Sequence, residues 1–276
     1  MHGMQLTQAV LPVAGLGTRF LPWTKIVPKE LLPIGTMPII ALLVDECLSV
    51  GIKEICFVIS AGKESIPKFF EPDEGLHAVL EKKGKLHLLE RLARYDEVHM
   101  HVVYQNEQLG DGHAILQAAD WVRGDHVGVL FGDDLIVHDK GGLGQLTEAL
   151  DGVPEGERST AAMLALENVP REMTSQYGIV APGEMDGRLV RVKGLVEKPK
   201  PEEAPSTLGI VGKYVVPKST FDVLPTVKSG KDGEIRLIDA LIAQKDQIAI
   251  YGWEFEGKRL DTGRPEGYKQ AVEILG

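Results

Sequence analysis

Residues Ala9–Pro33 read AVLPVAGLGTRFLPWTKIVPKELLP. An apolar run leads into a turn with Gly15 and Gly17, then Arg19, then Lys25 and Lys29 among Pro22, Pro28 and Pro33. The run Thr7–Val13 predicts a short buried strand. The glycines after it let the backbone approach a ligand and turn successive N–H groups, from Ala14 through Thr18, toward an anion. The spacing Gly15-x-Gly17-x-x-Phe20 lacks the third glycine of a dinucleotide fingerprint, and the prolines that follow do not suit the helix start such a site needs. No Gly-x4-Gly-Lys-Ser/Thr occurs, so this is not a P-loop. Thr18 offers a hydroxyl, while Arg19, Lys25 and Lys29 offer positive charge whose reach the prolines restrict. The spacing suits a polyphosphate cradle; the competing reading is a solvated basic loop.

Outward from this loop the first half alternates strand and helix. Pro38–Val50 carries an apolar helical stripe closed by Gly51. Glu54–Ser60 reads as a buried strand, Glu71–Glu97 as mostly helical, His99–Tyr104 as a strand, Gly112–Val122 as a helix and His126–Phe131 as a strand. Such alternation implies a parallel sheet with helices on both faces. In the second half Thr160–Leu166 and Ile210–Val216 read as strands. Gly178–Pro182 and Arg188–Val196 form a hairpin about Asp186-Gly187. Helices are expected at Ser219–Leu224, Glu234–Gln244 and Pro265–Leu275, with a strand at Ile248–Phe255. The expected fold class is α/β: a Rossmann-like mixed, mainly parallel central sheet flanked by helices, with a smaller antiparallel region. No linker interrupts the chain, so residues 1–276 read as one domain with halves near 1–150 and 151–276.

Bulk properties narrow the function. The chain has 276 residues, 43% hydrophobic and 25% charged, an ordinary globular balance. A net charge of -10 argues against nucleic-acid backbones as partners and makes the clustered cations conspicuous. Cys47 and Cys56 have apolar neighbours and no Cys-x-x-Cys spacing, which predicts reduced core thiols. No apolar run is long enough for a bilayer and the N-terminus lacks a signal-peptide pattern, so a cytoplasmic protein without membrane partners is expected.

Three segments should meet beyond the carboxyl ends of the strands, where open α/β sheets bind ligands: Ala14–Arg19, Gln105–His113 and Asp133-Asp134. A carboxylate there, with Asp261 near the last strand, suits Mg²⁺, which takes one or two protein carboxylates and fills its shell with waters and phosphate oxygens. A cap or turn aspartate is the alternative reading for each. Glu197-Lys198 at a strand end pairs an acceptor for hydroxyls with a cation for a phosphate. The eight histidines have no metal-ligand spacing, and no Gly-x-Ser-x-Gly or Cys/His nucleophile arrangement occurs. Cations, glycines and carboxylates without a covalent nucleophile suit phosphoryl or nucleotidyl transfer. That chemistry is mostly positioning and charge neutralisation.

These pieces together resemble the sugar-1-phosphate nucleotidyltransferases, whose fold is glycosyltransferase-A-like, and among them the bacterial uridylyl group. The resemblance rests on Ala14-Gly15-x-Gly17-Thr18-Arg19, Pro22-x-Thr24-Lys25-x-x-Pro28-Lys29-Glu30, Gln105 and Gly110-x-Gly112-His113-Ala114. It continues through Asp133, Tyr177-Gly178, Val196-Glu197-Lys198-Pro199, Gly212-Lys213-Tyr214, Gly233-Glu234-Ile235 and Asp261-x-Gly263. It implies that UTP and glucose 1-phosphate are converted to UDP-glucose and pyrophosphate with Mg²⁺. It further implies that Ala14, Gly15, Gly17 and Thr18 cradle the nucleotide, Arg19 and Lys29 neutralise the triphosphate, and Gln105 with Gly110 meets the base. Asp133 and Asp261 would hold the metal, Lys198 the sugar phosphate, and Gly178, Glu197 and Gly212 the sugar, in a homodimer or homotetramer. Two readings stay open: the same reaction with dTTP or another nucleotide, and a catalytically silent relative. Val13-Ala14 and Lys29-Glu30, where dTTP users carry Gly-Gly and Lys-Gln, favour the uridylyl reading.

Overall fold

The first apolar run forms strand β1 (Gln8–Pro12), flanked on both sides in a nine-stranded sheet. The computed structural model describes residues 6–230 and 232–276. The following strands are β2 (Glu54–Ile59), β3 (His99–Tyr104), β4 (His126–Leu130), β5 (Asp134–Val137) and β6 (Ala162–Asn168). After them come β7 (Gly178–Asp186), β8 (Leu189–Glu197), β9 (Leu208–Pro217), β10 (Ile250–Glu254) and β11 (Lys258–Asp261).

The large sheet runs β3-β2-β1-β4-β9-β6-β10-β8-β7. β3, β2, β1 and β4 are mutually parallel, as the alternating first half requires. β9 enters antiparallel beside β4, and only β6 with β10 is parallel beyond it. The sheet is therefore mixed, with parallel pairing concentrated in the first half and the β7–β8 hairpin closing the other edge. That hairpin turns at Gly187, whose φ of 57° is the left-handed conformation its Asp-Gly signal predicts.

Period-2 alternation feeds two cores. Leu11, Ile55 and Phe57 point to one face, against helix α1 (Ile39–Ser49) and helix α3 (Gly141–Asp151). Val10, Cys56 and Val58 point to the other, against helix α2 (Asp111–Leu116) and helix α4 (Leu237–Ala243). Each fully buried Leu or Phe contributes ~2 kcal/mol by area. Cys47 and Cys56 are free and buried, and burial pushes both thiols up, as expected of core residues. The C-terminal helix α5 (Pro265–Leu275) buries Ala271.

Several elements differ from expectation. The 71–97 segment is helical only over Glu74–Lys82, then breaks into short turns. α2 stops at Leu116 rather than Val122. α3 and the antiparallel ribbon of β5 with β11 carry no sequence signal strong enough to predict them. α3 opens Gly141-Gly142-x-Gly144, a poor helix start by propensity. It forms because Leu143, Leu146, Ala149 and Leu150 bury themselves on the sheet. The Gly142 site is also closed to side chains, since a Cβ there would lie 2.6 Å from Ile136 Cδ1.

α1 ends in a Schellman motif: Gly51 donates to Leu48 O at 3.0 Å and Ile52 to Cys47 O at 3.1 Å. Gly51 has φ 84° and nothing within 4 Å of a Cβ. Gly51→Ala therefore meets no clash and pays only the left-handed backbone cost. Equilibrium denaturation should show a loss of about 1–2 kcal/mol.

Candidate active site

The carboxyl ends of β1 and β4 open onto a cleft of about 230 Å³ whose walls include Arg19, Asp133, Gly178, Glu197, Gly212 and Asp261. Lys29 is joined to it through Asp133, with Nζ 2.6 Å from Oδ2. Ala14, Gly15, Gly17, Thr18, Gln105, Gly110 and Lys198 do not line this cleft themselves.

The glycine loop is held from within. Gly17 sits at φ 64°, where a Cβ would be 3.2 Å from Thr24 Cγ2, and Thr24 Oγ1 donates to Gly17 O at 2.8 Å. A Cβ on Gly15 would meet nothing within 4 Å, so the space over that residue is free for a ligand. The prolines punctuate three single 3₁₀ turns, at Thr18–Phe20, Trp23–Lys25 and Lys29–Leu31.

The last turn is anchored by a buried ion pair whose second member, Lys63, the sequence did not single out. Glu30 is 1% exposed, and Lys63 Nζ reaches its carboxylate at 3.0 and 3.2 Å and Val13 O at 2.6 Å. Burial raises the Glu30 carboxyl above its ordinary range and lowers the Lys63 ammonium, each opposed by the charge of the other. Glu30 therefore acts behind the loop and touches no ligand space of its own.

Asp133 and Asp261 are brought together by the β5–β11 ribbon, which pairs Asp134 with Asp261. Thr262 donates its N–H to Asp133 O at 2.7 Å. A Cβ on Gly263 would lie 2.6 Å from Asp133 Oδ2 and 3.1 Å from Asp261 Oδ1, so both carboxylates face one spot that glycine leaves open. Burial would raise the Asp133 carboxyl, but Lys29, then Arg259 and Arg19, outweigh it and hold it below the usual range. Among the described residues no group of three or more His, Cys, Asp or Glu is placed to hold a metal. Two close carboxylates fit Mg²⁺ that arrives with phosphate oxygens filling the rest of its shell.

Asp134 belongs to the framework. Its Oδ1 takes Arg259 Nε at 2.6 Å and its Oδ2 takes the Gly212 N–H at 3.0 Å. Gly212 is glycine because a Cβ would strike Asp134 Oδ2 at 2.5 Å and Phe131 at 2.7 Å. Arg259 also donates to Tyr177 OH at 3.0 Å, and its neighbouring anions raise its pKa further despite burial.

At the other end, Glu197 terminates β8 opposite Gly178. A Cβ on Gly178 would lie 2.6 Å from Ile238 Cδ1 and 3.2 Å from Glu197 Oε2. Arg236 Nε stands 3.5 Å from Glu197 Oε1, and its Nη2 binds Glu234 at 2.8 Å and also Asp232. Lys198 Nζ lies 3.3 Å from Glu197. Lys198 is the only non-glycine residue at positive φ (45°) among the described residues, a strained backbone of the kind that clusters at functional sites.

Gln105 is 3% exposed; its Nε2 donates to Gly110 O at 3.0 Å and lies 3.0 Å from His113 Nδ1. This loop is stitched to the second half: Gly112 donates to Ile235 O, Ile235 to Leu109 O, and Leu237 to Asp111 Oδ1 at 2.8 Å. Arg236, Arg259, Asp111 and Lys63 were missed in the sequence. Arg259, Asp111 and Lys63 have partners far away along the chain, and Arg236 meets Glu197 at long range as well as its neighbours Asp232 and Glu234.

The chain matches the nucleotidyl transferase family over residues 8–275. It belongs to that family. A UTP–glucose-1-phosphate uridylyltransferase of Staphylococcus haemolyticus is 39% identical over 271 residues, covering 98% of this chain and 92% of that protein. A UTP-bound UGPase from Acinetobacter baumannii is 33% identical with a TM-score of 0.88, over 98% of this chain and 93% of that one. A crystal structure of a UDP-glucose pyrophosphorylase complexed with UDP-glucose is 32% identical with a TM-score of 0.85, over 97% of each chain.

Lys63→Met leaves the Glu30 charge buried alone and should cost about 3–5 kcal/mol in chemical denaturation; adding Glu30→Leu should recover part of that loss. Asp111 lines the cleft, and burial pushes its carboxyl up to about 6. Its folded pKa exceeds the unfolded value, so the folded state binds the extra proton and stability falls as pH rises from about 4 to 6. Against Asp111→Asn, the native chain should lose about 2 kcal/mol across that window, read from denaturation at each pH.

Proposed function

We propose that this chain converts UTP and glucose 1-phosphate to UDP-glucose and pyrophosphate. The observation that carries this reading is one cleft with Arg19, Asp133 and Asp261 at one end and Glu197 with Gly178 at the other. Cations and two carboxylates suit a triphosphate; a half-buried acceptor beside a glycine suits a polyol. Relatives named for this reaction at 39% identity, and structures holding UTP or UDP-glucose at 33% and 32%, support it.

In this scheme the Ala14–Thr18 backbone cradles the nucleotide, and Gln105, with Gly110, meets the uracil edge. Arg19 and Lys29 stabilise charge on the triphosphate and on the leaving pyrophosphate. Glu197 accepts from glucose hydroxyls, Gly178 and Gly212 shape the sugar pocket, and Lys198 holds the sugar phosphate. The attacking phosphate oxygen is already ionised at neutral pH, so no general base is needed. It attacks the α-phosphorus in line with the departing pyrophosphate. Asp133 and Asp261 would hold Mg²⁺, which when bound neutralises charge on the phosphate oxygens. Lys29 and Asp133 form an ion pair at 2.6 Å, so binding of the metal and triphosphate gives each a new partner of opposite sign.

The proposal treats the chain as a single domain, with about 1–150 serving the nucleotide and 151–276 the sugar phosphate. A cytoplasmic setting suits both substrates, and no helix among the described residues is long and apolar enough to cross a membrane.

Initial rates of pyrophosphate release with UTP, dTTP, ATP and GTP on glucose 1-phosphate test the reading, with UTP expected to lead; a preference for dTTP overturns the base assignment. Asp133→Asn should reduce Mg²⁺-dependent turnover by more than about 100-fold. Unchanged turnover removes Asp133 from the metal site.

A further inference from the structure

Among the described residues, every carboxylate on the cleft wall but one has a cation at ion-pair distance. Asp133 has Lys29 at 2.6 Å, Asp134 has Arg259 at 2.6 Å and Asp261 has Arg264 at 3.2 Å. Glu197 has Lys198 at 3.3 Å and Arg236 at 3.5 Å. Asp111 has none; its Oδ1 takes the Leu237 N–H at 2.8 Å, and its Oδ2 takes no donor among the described residues. Arg236 stands nearby but is shared among Glu197, Asp232 and Glu234. At this end of the cleft Asp111, Glu197, Asp232 and Glu234 therefore face only Arg236 and Lys198. Burial raises the Asp111 carboxyl and the charges of Glu197 and Glu234 raise it further, against the Leu237 N–H and Arg236. A half-buried carboxylate without a partner is costly and draws a cation.

Tyr214 is a second unpartnered group on the same wall. It is 8% exposed, yet its hydroxyl has no hydrogen-bond partner among the described residues and opens onto the cleft. Burial, then the charges of Asp111 and Glu197, hold that hydroxyl in its neutral form. A neutral phenol can accept a hydrogen bond while it donates another. We propose that this end of the cleft takes a hexosamine 1-phosphate, its ammonium group seated by Asp111 Oδ2 and the Tyr214 hydroxyl, and that the chain transfers uridylyl to it as well as to glucose 1-phosphate. The inference rests on the reading of the cleft as a uridylyl-transfer site. A sugar hydroxyl would bond to Asp111 and leave its charge uncompensated; an ammonium brings both the charge and the donors. The amine takes no part in the bond changes: a sugar-phosphate oxygen still bonds to the α-phosphorus, and pyrophosphate still leaves.

Initial rates of pyrophosphate release with UTP and Mg²⁺ test it, on glucose 1-phosphate and on its analogues carrying an amine in place of the 2-, 3-, 4- or 6-hydroxyl. One amino sugar is expected to match or exceed glucose 1-phosphate in kcat/KM. Acetylating its amine, which removes the charge, should abolish that standing. Asp111→Asn keeps an oxygen for the Leu237 N–H but loses the charge. It should lower the kcat/KM of the amino sugar relative to glucose 1-phosphate by about 10- to 100-fold, the size of a hydrogen bond to a charged group. Tyr214→Phe keeps the ring and should move the same ratio in the same direction by about threefold. Native turnover of glucose 1-phosphate without any amino sugar, or a ratio that both variants leave unmoved, overturns the proposal while the uridylyl reading stands. No turnover of any sugar 1-phosphate overturns both.

Discussion

One carboxylate and one ammonium lie buried together behind the glycine loop, and the geometry of the cleft hangs on that pair. Glu30 belongs to the turn that presents Lys29; Lys63 belongs to the turn after β2 and also holds Val13 O at the end of β1. The pair thus clamps two segments that follow neighbouring parallel strands. Either charge left alone in that interior carries a penalty of several kcal/mol, so the turn cannot drift without exposing or stranding one of them. Gly132 completes the packing, since a Cβ there would lie 2.9 Å from Val13 Cγ1 and 3.1 Å from Glu30 Cγ. With its neighbour fixed, Lys29 reaches Asp133 over a short tether.

From that anchor the cleft is organised as a series of opposed charges. Lys29 faces Asp133, Arg259 faces Asp134, Arg264 faces Asp261 and Arg236 faces Glu197. The arrangement keeps each half-buried charge compensated while the cleft is open. It also gathers four arginines, Arg19, Arg236, Arg259 and Arg264, along the cleft of a chain whose net charge is -10. The backbone bonds between 109–112 and 235–237, with Asp111 accepting from Leu237, tie the 105–113 loop to the helix packed beside Gly178.

Much of this was legible beforehand. The strands β1, β2 and β4 sit close to the expected limits because buried parallel strands are short apolar runs flanked by polar residues, and the edge strand β3 also keeps its expected limits without burying a residue. The α5 limits agree because Pro265 marks its start and the chain's last residues carry a clear stripe. The ribbon of β5 and β11 was not legible, since Asp134–Val137 and Lys258–Asp261 are four residues each and pair across more than a hundred positions. Lys198 was named for its charge, but its left-handed backbone shows only in three dimensions. Glu30 read as part of a motif that separates base preferences; its burial assigns it to the scaffold.

The sequence alone determined what is local: the alternation that builds a parallel half-sheet, the glycine turn after β1, and the residue types at the strand ends. Each of these follows from the period of the side chains or from the freedom of one backbone position. Tertiary structure decided which charges meet. Asp133 and Asp261 converge because a short ribbon aligns them, and Gly178 and Gly212 are glycine because Ile238, Phe131 and Asp134 occupy the space a Cβ would need. Electrostatic partners are chosen by distance and dielectric in the folded state, and neither quantity is written along a chain.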